Sequence, residues 1–150
     1  MTKNIFIIAN SPLFIKQHLR SLLIHKTKNT NLFIFTEKNR KFKIESNYAN
    51  IVFIPMKRNP SFIDILSILY YSYFRLKYRP ILSISFTPKG SLVNISTCWL
   101  PGNSIHYFTG QRWATFKGFK KTFFKFIDFL IIKLSSSCYS DSFSQSEYIS

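Results

Sequence analysis

The sequence predicts an α/β fold built on a mostly parallel sheet flanked by helices, and three observations predict it. Short, nearly unbroken apolar runs recur along the chain, such as Ile5-Phe6-Ile7-Ile8 and Leu32-Phe33-Ile34-Phe35, as expected of strands buried on both faces. Between them lie stretches with helical spacing, long enough to cross back over a sheet. Helix-opening and helix-closing residues (Asn10-Ser11-Pro12, Asn59-Pro60-Ser61, Pro80) fall at the joins.

The elements follow in order. Lys3–Ala9 is a buried strand, and Asn10-Ser11-Pro12 turns into a helix over 13–26 with Phe14, Leu19, Leu22 and Leu23 toward the sheet. Leu32–Thr36 is a second strand, and the basic stretch Glu37–Lys43 is a solvated loop or one short irregular element. Ile51–Ile54 is a third strand, stopped at Pro55, which has no donor for a ladder. The helix opened by Asn59-Pro60-Ser61 runs to Tyr78, with Ile63, Leu66, Leu69, Tyr70 and Phe74 inward. Pro80 ends it and leads into a fourth strand, Ile81–Phe86. A short helix over 89–99, a fifth strand Ser104–Phe108 and a long amphipathic helix Phe116–Ser135 complete the pattern. In that last helix Phe116, Phe119, Phe123, Phe126, Leu130 and Leu134 form the expected core side, and Lys121, Lys125 and Asp128 the outer side. Tyr139-Ser140 begins a sixth strand.

At 150 residues and 17.7 kDa the chain suffices for one domain with a sizeable core and is too short for two ordinary ones. Ser144-Gln145-Ser146-Glu147 opens what reads as another helix shortly before Ser150. We therefore expect residues 1–150 to be one domain truncated at its carboxyl end.

The formal charge is +15, from 21 Lys+Arg against 6 Asp+Glu. Such a balance implies an acidic partner: nucleic acid, an anionic membrane surface or phosphate-bearing small molecules. No nucleic-acid recognition module is visible, which argues against the first. The exposed aromatics expected beside lysines on the long helices suit peripheral attachment to an anionic bilayer, and equally a partner domain. The helices 62–76 and 122–134 carry Asp64, Arg75, Lys125, Asp128 and Lys133, unlike spanning segments. The opening apolar run is too short for a signal peptide and lacks a cleavage pattern. Cys98 and Cys138 are far apart in apolar surroundings, as two buried thiols of a reducing compartment would be.

Several chemistries lack their residues. The loop after the first strand has no glycine, so the Gly-x-Gly-x-x-Gly dinucleotide fingerprint is missing. There is no Gly-Lys-Ser/Thr phosphate loop, no paired-cysteine site and no His-Glu-x-x-His helix. His18, His25 and His106 have no metal-ligand spacing.

The polar loops at strand ends are where an open α/β sheet places ligand contacts. Thr87-Pro88-Lys89-Gly90 follows the fourth strand: Lys89 is a candidate mobile charge for a phosphate or sugar acid, or a solvated first-turn lysine, and Gly90 permits close backbone approach. Thr109, Gly110, Gln111 and Arg112 follow the fifth strand and offer hydroxyl, amide and guanidinium groups suited to sugar hydroxyls and an anion. Trp113 can stack on a sugar face or pack at the next helix. Strand alternation puts His106 beside Phe108 and opposite Ile105 and Tyr107, so a hydrogen-bonded core histidine is favoured over a ligand-binding one.

In order along the chain, Ile54-Pro55-Met56-Lys57-Arg58-Asn59-Pro60, Ser85-Phe86-Thr87-Pro88-Lys89-Gly90, Ile105-His106-Tyr107-Phe108-Thr109-Gly110-Gln111-Arg112-Trp113-Ala114-Thr115 and Asp141-Ser142-Phe143-Ser144-Gln145-Ser146-Glu147 resemble a known family. They look like the amino-terminal half of bacterial nucleotide-sugar glycosyltransferases with two Rossmann-like domains, the retaining, family-four type of surface polysaccharide assembly such as lipopolysaccharide and capsule.

The resemblance implies a Rossmann-like domain shaping the acceptor side of an interdomain cleft. It implies transfer of a sugar from a nucleotide-diphosphate donor to a lipid-linked or growing glycan at the cytoplasmic face of the inner membrane. No bound cofactor or dedicated metal-holding carboxylates are implied. A carboxyl-terminal domain, absent from these residues, would supply most of the nucleotide grip and an important acidic residue. Residue by residue, Asn10, Ser11 and the following Pro12–Phe14 match the first acceptor-side loop, and His18 a histidine of the helix after it. Lys89-Gly90 matches a Lys/Gly pair after the fourth strand, and Thr109-Gly110 the place where many relatives carry His-Gly. Threonine cannot do imidazole proton chemistry, so no catalytic base is assigned. This leaves open whether the half acts alone, and leaves a silent binding or membrane-attachment domain and a basic RNA-binding module as alternatives.

Overall fold

Strand β1 (Lys3–Ile8) is the pivot of the sheet, since its alternation sends Phe6 and Ile8 to one face and Ile5 and Ile7 to the other. The computed structural model describes residues 2–24, 29–39, 44, 46–56, 61–109 and 116–140. Five further strands join β1: β2 (Thr30–Thr36), β3 (Ala49–Phe53), β4 (Leu82–Ser85), β5 (Asn103–Phe108) and β6 (Ser137–Ser140). Every pairing is parallel, in the order β3-β2-β1-β4-β5-β6. The expected parallel α/β sheet is therefore present. The chain leaves β1 toward β2 and β3, then crosses to β4 on the other side. That reversal makes the carboxyl edge between β1 and β4 a topological switch point.

Helices α1 (Pro12–His18) and α2 (Arg20–Ile24) lie on the Ile7 face, where Ile15, Leu19 and Leu23 pack on Ile7, Leu32 and Ile34. They replace the single helix expected over 13–26, with a break at Leu19. The other face carries α3 (Ile63–Tyr78), α4 (Pro88–Ile95) and α5 (Gly118–Leu134). There Tyr71 of α3 and Val93 of α4 pack on Phe6, Ile8, Phe33 and Phe35, while Ile127 and Ile131 of α5 pack on Ile95 and Phe108. On the α1 side, Ile105, Tyr107 and Tyr139 of β5 and β6 stay half-buried or exposed, so that end of the sheet is less covered than expected.

Two helical faces differ from expectation. In α3 the fully buried residues are Ser67, Tyr71 and Arg75, and Leu66, Leu69 and Tyr70 face outward. Hydrogen bonds fix this rotation. Ser67 Oγ donates to the Pro55 carbonyl at 2.9 Å, and Tyr71 Oη lies 2.8 Å from Ser83 Oγ and donates to Asn94 Oδ1 at 3.3 Å. The Arg75 guanidinium donates to the carbonyls of Leu100, Pro101 and Gly102 at 3.2, 3.0 and 2.7 Å, and to Thr97 Oγ1 and Ser104 Oγ at 3.0 and 3.2 Å. Burial lowers the Arg75 pKa and pushes that of Tyr71 up to about 12. In α5, Phe119, Phe123, Phe126 and Leu134 are exposed, and Asp128, expected outside, is buried beside Ile127 and Ile131.

The ends of α3 obey local rules. Asp64 Oδ2 accepts from the Ser61 N–H at 2.9 Å at its start, and Arg79 adopts a left-handed conformation ahead of Pro80 at its end. Cys98 and Cys138 are free thiols, half-buried rather than buried, and burial pushes the Cys138 pKa up.

Candidate functional site

The turns after β1 and β4 are stitched together across the switch point. Thr87 Oγ1 caps α4 by accepting from the Gly90 N–H at 3.3 Å, and also accepts from the Asn10 N–H at 3.1 Å. The Phe86 N–H donates to the Ile8 carbonyl at 3.2 Å. A Cβ on Gly90 would sit 2.8 Å from that same carbonyl oxygen. The close approach that Gly90 permits is therefore between α4 and β1. Ser11 caps α1 by accepting from the Phe14 N–H at 3.3 Å.

Lys89 is not the mobile or solvated charge expected from its position. It is 6% exposed and its Nζ lies 2.7 Å from Asp64 Oδ1, which joins α4 to the start of α3. The backbone explains this: capped by Thr87, the first turn of α4 tucks under α3, so a side chain leaving it there meets protein rather than water.

His106 is a core residue, as alternation along β5 indicates. Its Nδ1 lies 2.9 Å from the Ser85 carbonyl, 2.7 Å from Ser91 Oγ and 3.1 Å from Ser85 Oγ. The Ser91 hydroxyl already donates to the Thr87 carbonyl at 2.8 Å. Both close oxygens are therefore acceptors, which puts the proton on Nδ1. Burial drives the His106 pKa down to about 4, opposed by the bond to Ser85.

The open concavity lies on the other face, at the carboxyl edge between α1 and β5. It is about 500 Å³ in volume and is lined by Phe14, His18, Leu19, Phe86, Tyr107 and Thr109. Four rings form a row across it: His18 stacks on Phe14 at 4.6 Å, Phe14 lies 5.6 Å from Phe86, and Phe86 lies 5.7 Å from Tyr107. At its end Thr109 is exposed and donates its hydroxyl to the Phe86 carbonyl at 3.3 Å, and a hydroxyl oxygen that donates can still accept. The chemistry offered is apolar ring faces edged by imidazole, phenol and hydroxyl groups. That combination suits a molecule with one apolar face and a polar rim.

Of the residues singled out from sequence, His18 and Thr109 meet in this pocket. Asn10, Ser11, Thr87 and Gly90 build the stitched turn beside it, Lys89 is sequestered behind it, and Gly110, Gln111, Arg112 and Trp113 lie outside the described residues. Phe86 and Tyr107 were not anticipated as lining residues, although Tyr107 opposite His106 on an end of β5 was the available signal. A second groove of about 430 Å³ at the ends of β2 and β3 is lined by Glu37, Lys38, Phe53, Ile54, Pro55, Met56 and Ile63. There burial raises the Glu37 pKa, with Lys89 opposing the shift. A lone carboxylate directly after β2 was its sequence signal. Among the described residues no group of three His, Cys, Asp or Glu side chains is arranged to hold a metal ion.

The arrangement of sheet and helices is that of a single Rossmann-like domain of the GT-B type. Sucrose-phosphate synthase from Thermosynechococcus elongatus superposes with a TM-score of 0.69 over 98% of this chain and 81% of that structure, at 11% identity. A protein assigned as a UDP-N-acetylglucosamine 2-epimerase, from Listeria monocytogenes, superposes with a TM-score of 0.58 over 99% of this chain, also at 11% identity. The chain spans 42% of the epimerase structure. No protein-family profile and no curated protein sequence matches the chain.

Proposed function

We propose that this chain is the acceptor-side wall of a nucleotide-sugar-dependent glycosyltransferase, and that the row of rings at the carboxyl edge holds a sugar of a lipid-linked or growing glycan. The observation that carries the reading is the His18–Phe14–Phe86–Tyr107 row closed by the Thr109 hydroxyl. Sugar rings present C–H faces that pack on aromatic carbon and hydroxyl edges that hydrogen-bond, which is what these groups offer. The fold likeness supports the class of enzyme, and the sequence resemblance supports the acceptor role. In this proposal a second domain provides the grip on the nucleotide diphosphate, because Lys89, the nearest described cation after β4, is engaged with Asp64.

A silent sugar-binding domain is the second reading. It is favoured by Thr109, which cannot transfer a proton as a histidine there would, and by the sequestration of Lys89. Saturation-transfer difference NMR with UDP-glucose, UDP-N-acetylglucosamine and methyl glycosides of glucose, galactose and mannose tests the shared core of both readings. Transfer to at least one sugar ring is expected. Absence of transfer to every sugar in the panel would contradict both.

A further inference from the structure

The layer formed by α3, α4 and α5 has an outer surface that the sugar pocket does not use. Phe62, Ile65, Leu66, Leu69, Tyr73 and Leu76 are all more than half exposed and recur at three- and four-residue spacing, making one apolar stripe along α3. Phe119, Phe123 and Phe126 repeat the pattern on α5, and Trp99, 75% exposed, follows α4, the helix that packs against both. Tyr71 on the α3 side and Ile127 and Ile131 on the α5 side pack on the same face of the sheet. The two stripes therefore look outward together. An apolar area of this extent marks an interaction surface.

Charge selects the partner. Lys77, Arg79, Lys120, Lys121, Lys125 and Lys133 are exposed around the stripes. The three helices contain two carboxylates, Asp64 and Asp128: the first is paired with Lys89 and the second is 6% exposed. The layer thus presents cations and apolar rings with no exposed carboxylate. A second copy would set like charges face to face. An anionic lipid surface would receive the rings at the boundary of headgroups and acyl chains and the lysines among the phosphates. No helix among the described residues is long and apolar enough to cross a membrane, so the surface suits lying on a bilayer.

We infer that the α3–α4–α5 face docks on an anionic phospholipid bilayer, using both helices at once and leaving the ring-lined pocket, on the opposite face of the sheet, open to water. This assignment stands independently of the sugar reading, and vesicles without glycans test it separately.

The test is co-sedimentation of the whole chain with phosphatidylcholine vesicles with and without phosphatidylglycerol. Binding should be at least about tenfold stronger with the anionic lipid, given about 1 kcal/mol for each cation near the surface. In a Trp113→Phe background, Trp99 emission should shift to the blue on binding. Leu69→Ser with Phe123→Ser, and separately Lys120→Glu with Lys121→Glu, should each weaken binding about tenfold or more while circular dichroism stays unchanged, since all four positions are exposed. Equal binding to both vesicle types would overturn the inference. So would binding that the lysine pair abolishes and the apolar pair leaves untouched, because net charge alone would then suffice. A mass that rises with concentration, is reset by Leu69→Ser and comes without vesicle binding would assign the face to a second copy.

Discussion

The His106 imidazole shares its Nδ1 proton between the Ser85 carbonyl and Ser91 Oγ in a site 2% exposed. An unfolded histidine titrates near 6.5, whereas burial drives this one down to about 4. Between those values the unfolded chain binds a proton that the folded chain does not. Stability contributed by the neutral ring is therefore complete above the unfolded value and falls as pH drops toward 4, by about 3 kcal/mol over the window. Urea titrations at several pH values should show this loss, and His106→Asn, which keeps a donor toward Ser85, should flatten the profile. An identical pH dependence in wild type and variant would contradict the assignment. Alternation along β5 was enough to place His106 inside. The fate of Lys89 was not legible locally, because its partner Asp64 lies 25 positions earlier and meets it only through the packing of α3 on α4.

At the scale of elements, strand positions and the mostly parallel arrangement follow from apolar runs and crossover lengths, and these were legible; the strand order was not. Nor was the rotation of α3. Its outer face holds Leu66, Leu69 and Tyr70, so hydrophobicity alone points the wrong side inward. What turns it is polar: Tyr71 and Arg75 bond to residues 83–104 from the interior of the layer. Arg75 donates to three successive carbonyls of the turn 100–102, ahead of β5, and the Leu100 carbonyl, Thr97 Oγ1 and Ser104 Oγ among its acceptors are buried. Arg75→Met keeps the packing stem and removes the fork, and should cost about 3 kcal/mol, at about 1–3 kcal/mol for each buried acceptor left unpaired. Arg75→Lys should recover part of that loss. Urea unfolding checks both, and an Arg75→Met chain as stable as wild type would show the clamp to be dispensable.

At the scale of the whole molecule, the described residues form one six-stranded sheet whose helical cover differs between its faces. Three helices cover one side and leave apolar stripes outward; α1 and α2 cover part of the other and leave the row of rings open at the carboxyl edge. The sequence pointed to the loops after β4 and β5; of the residues it singled out, His18 of α1 and Thr109 after β5 line one pocket. It did not show that the floor between them would be Phe86 and Tyr107, because rings from α1, β4 and β5 become neighbours only through the strand order. In the proposed function this row binds a sugar ring. The most direct measurement is calorimetric titration of the sugar that shows the strongest saturation transfer into wild type, Tyr107→Ala and, as a control outside the pocket, Leu69→Ser. Loss of one stacking face predicts affinity about tenfold lower for Tyr107→Ala and unchanged for Leu69→Ser. Equal affinity in all three proteins would contradict the claim.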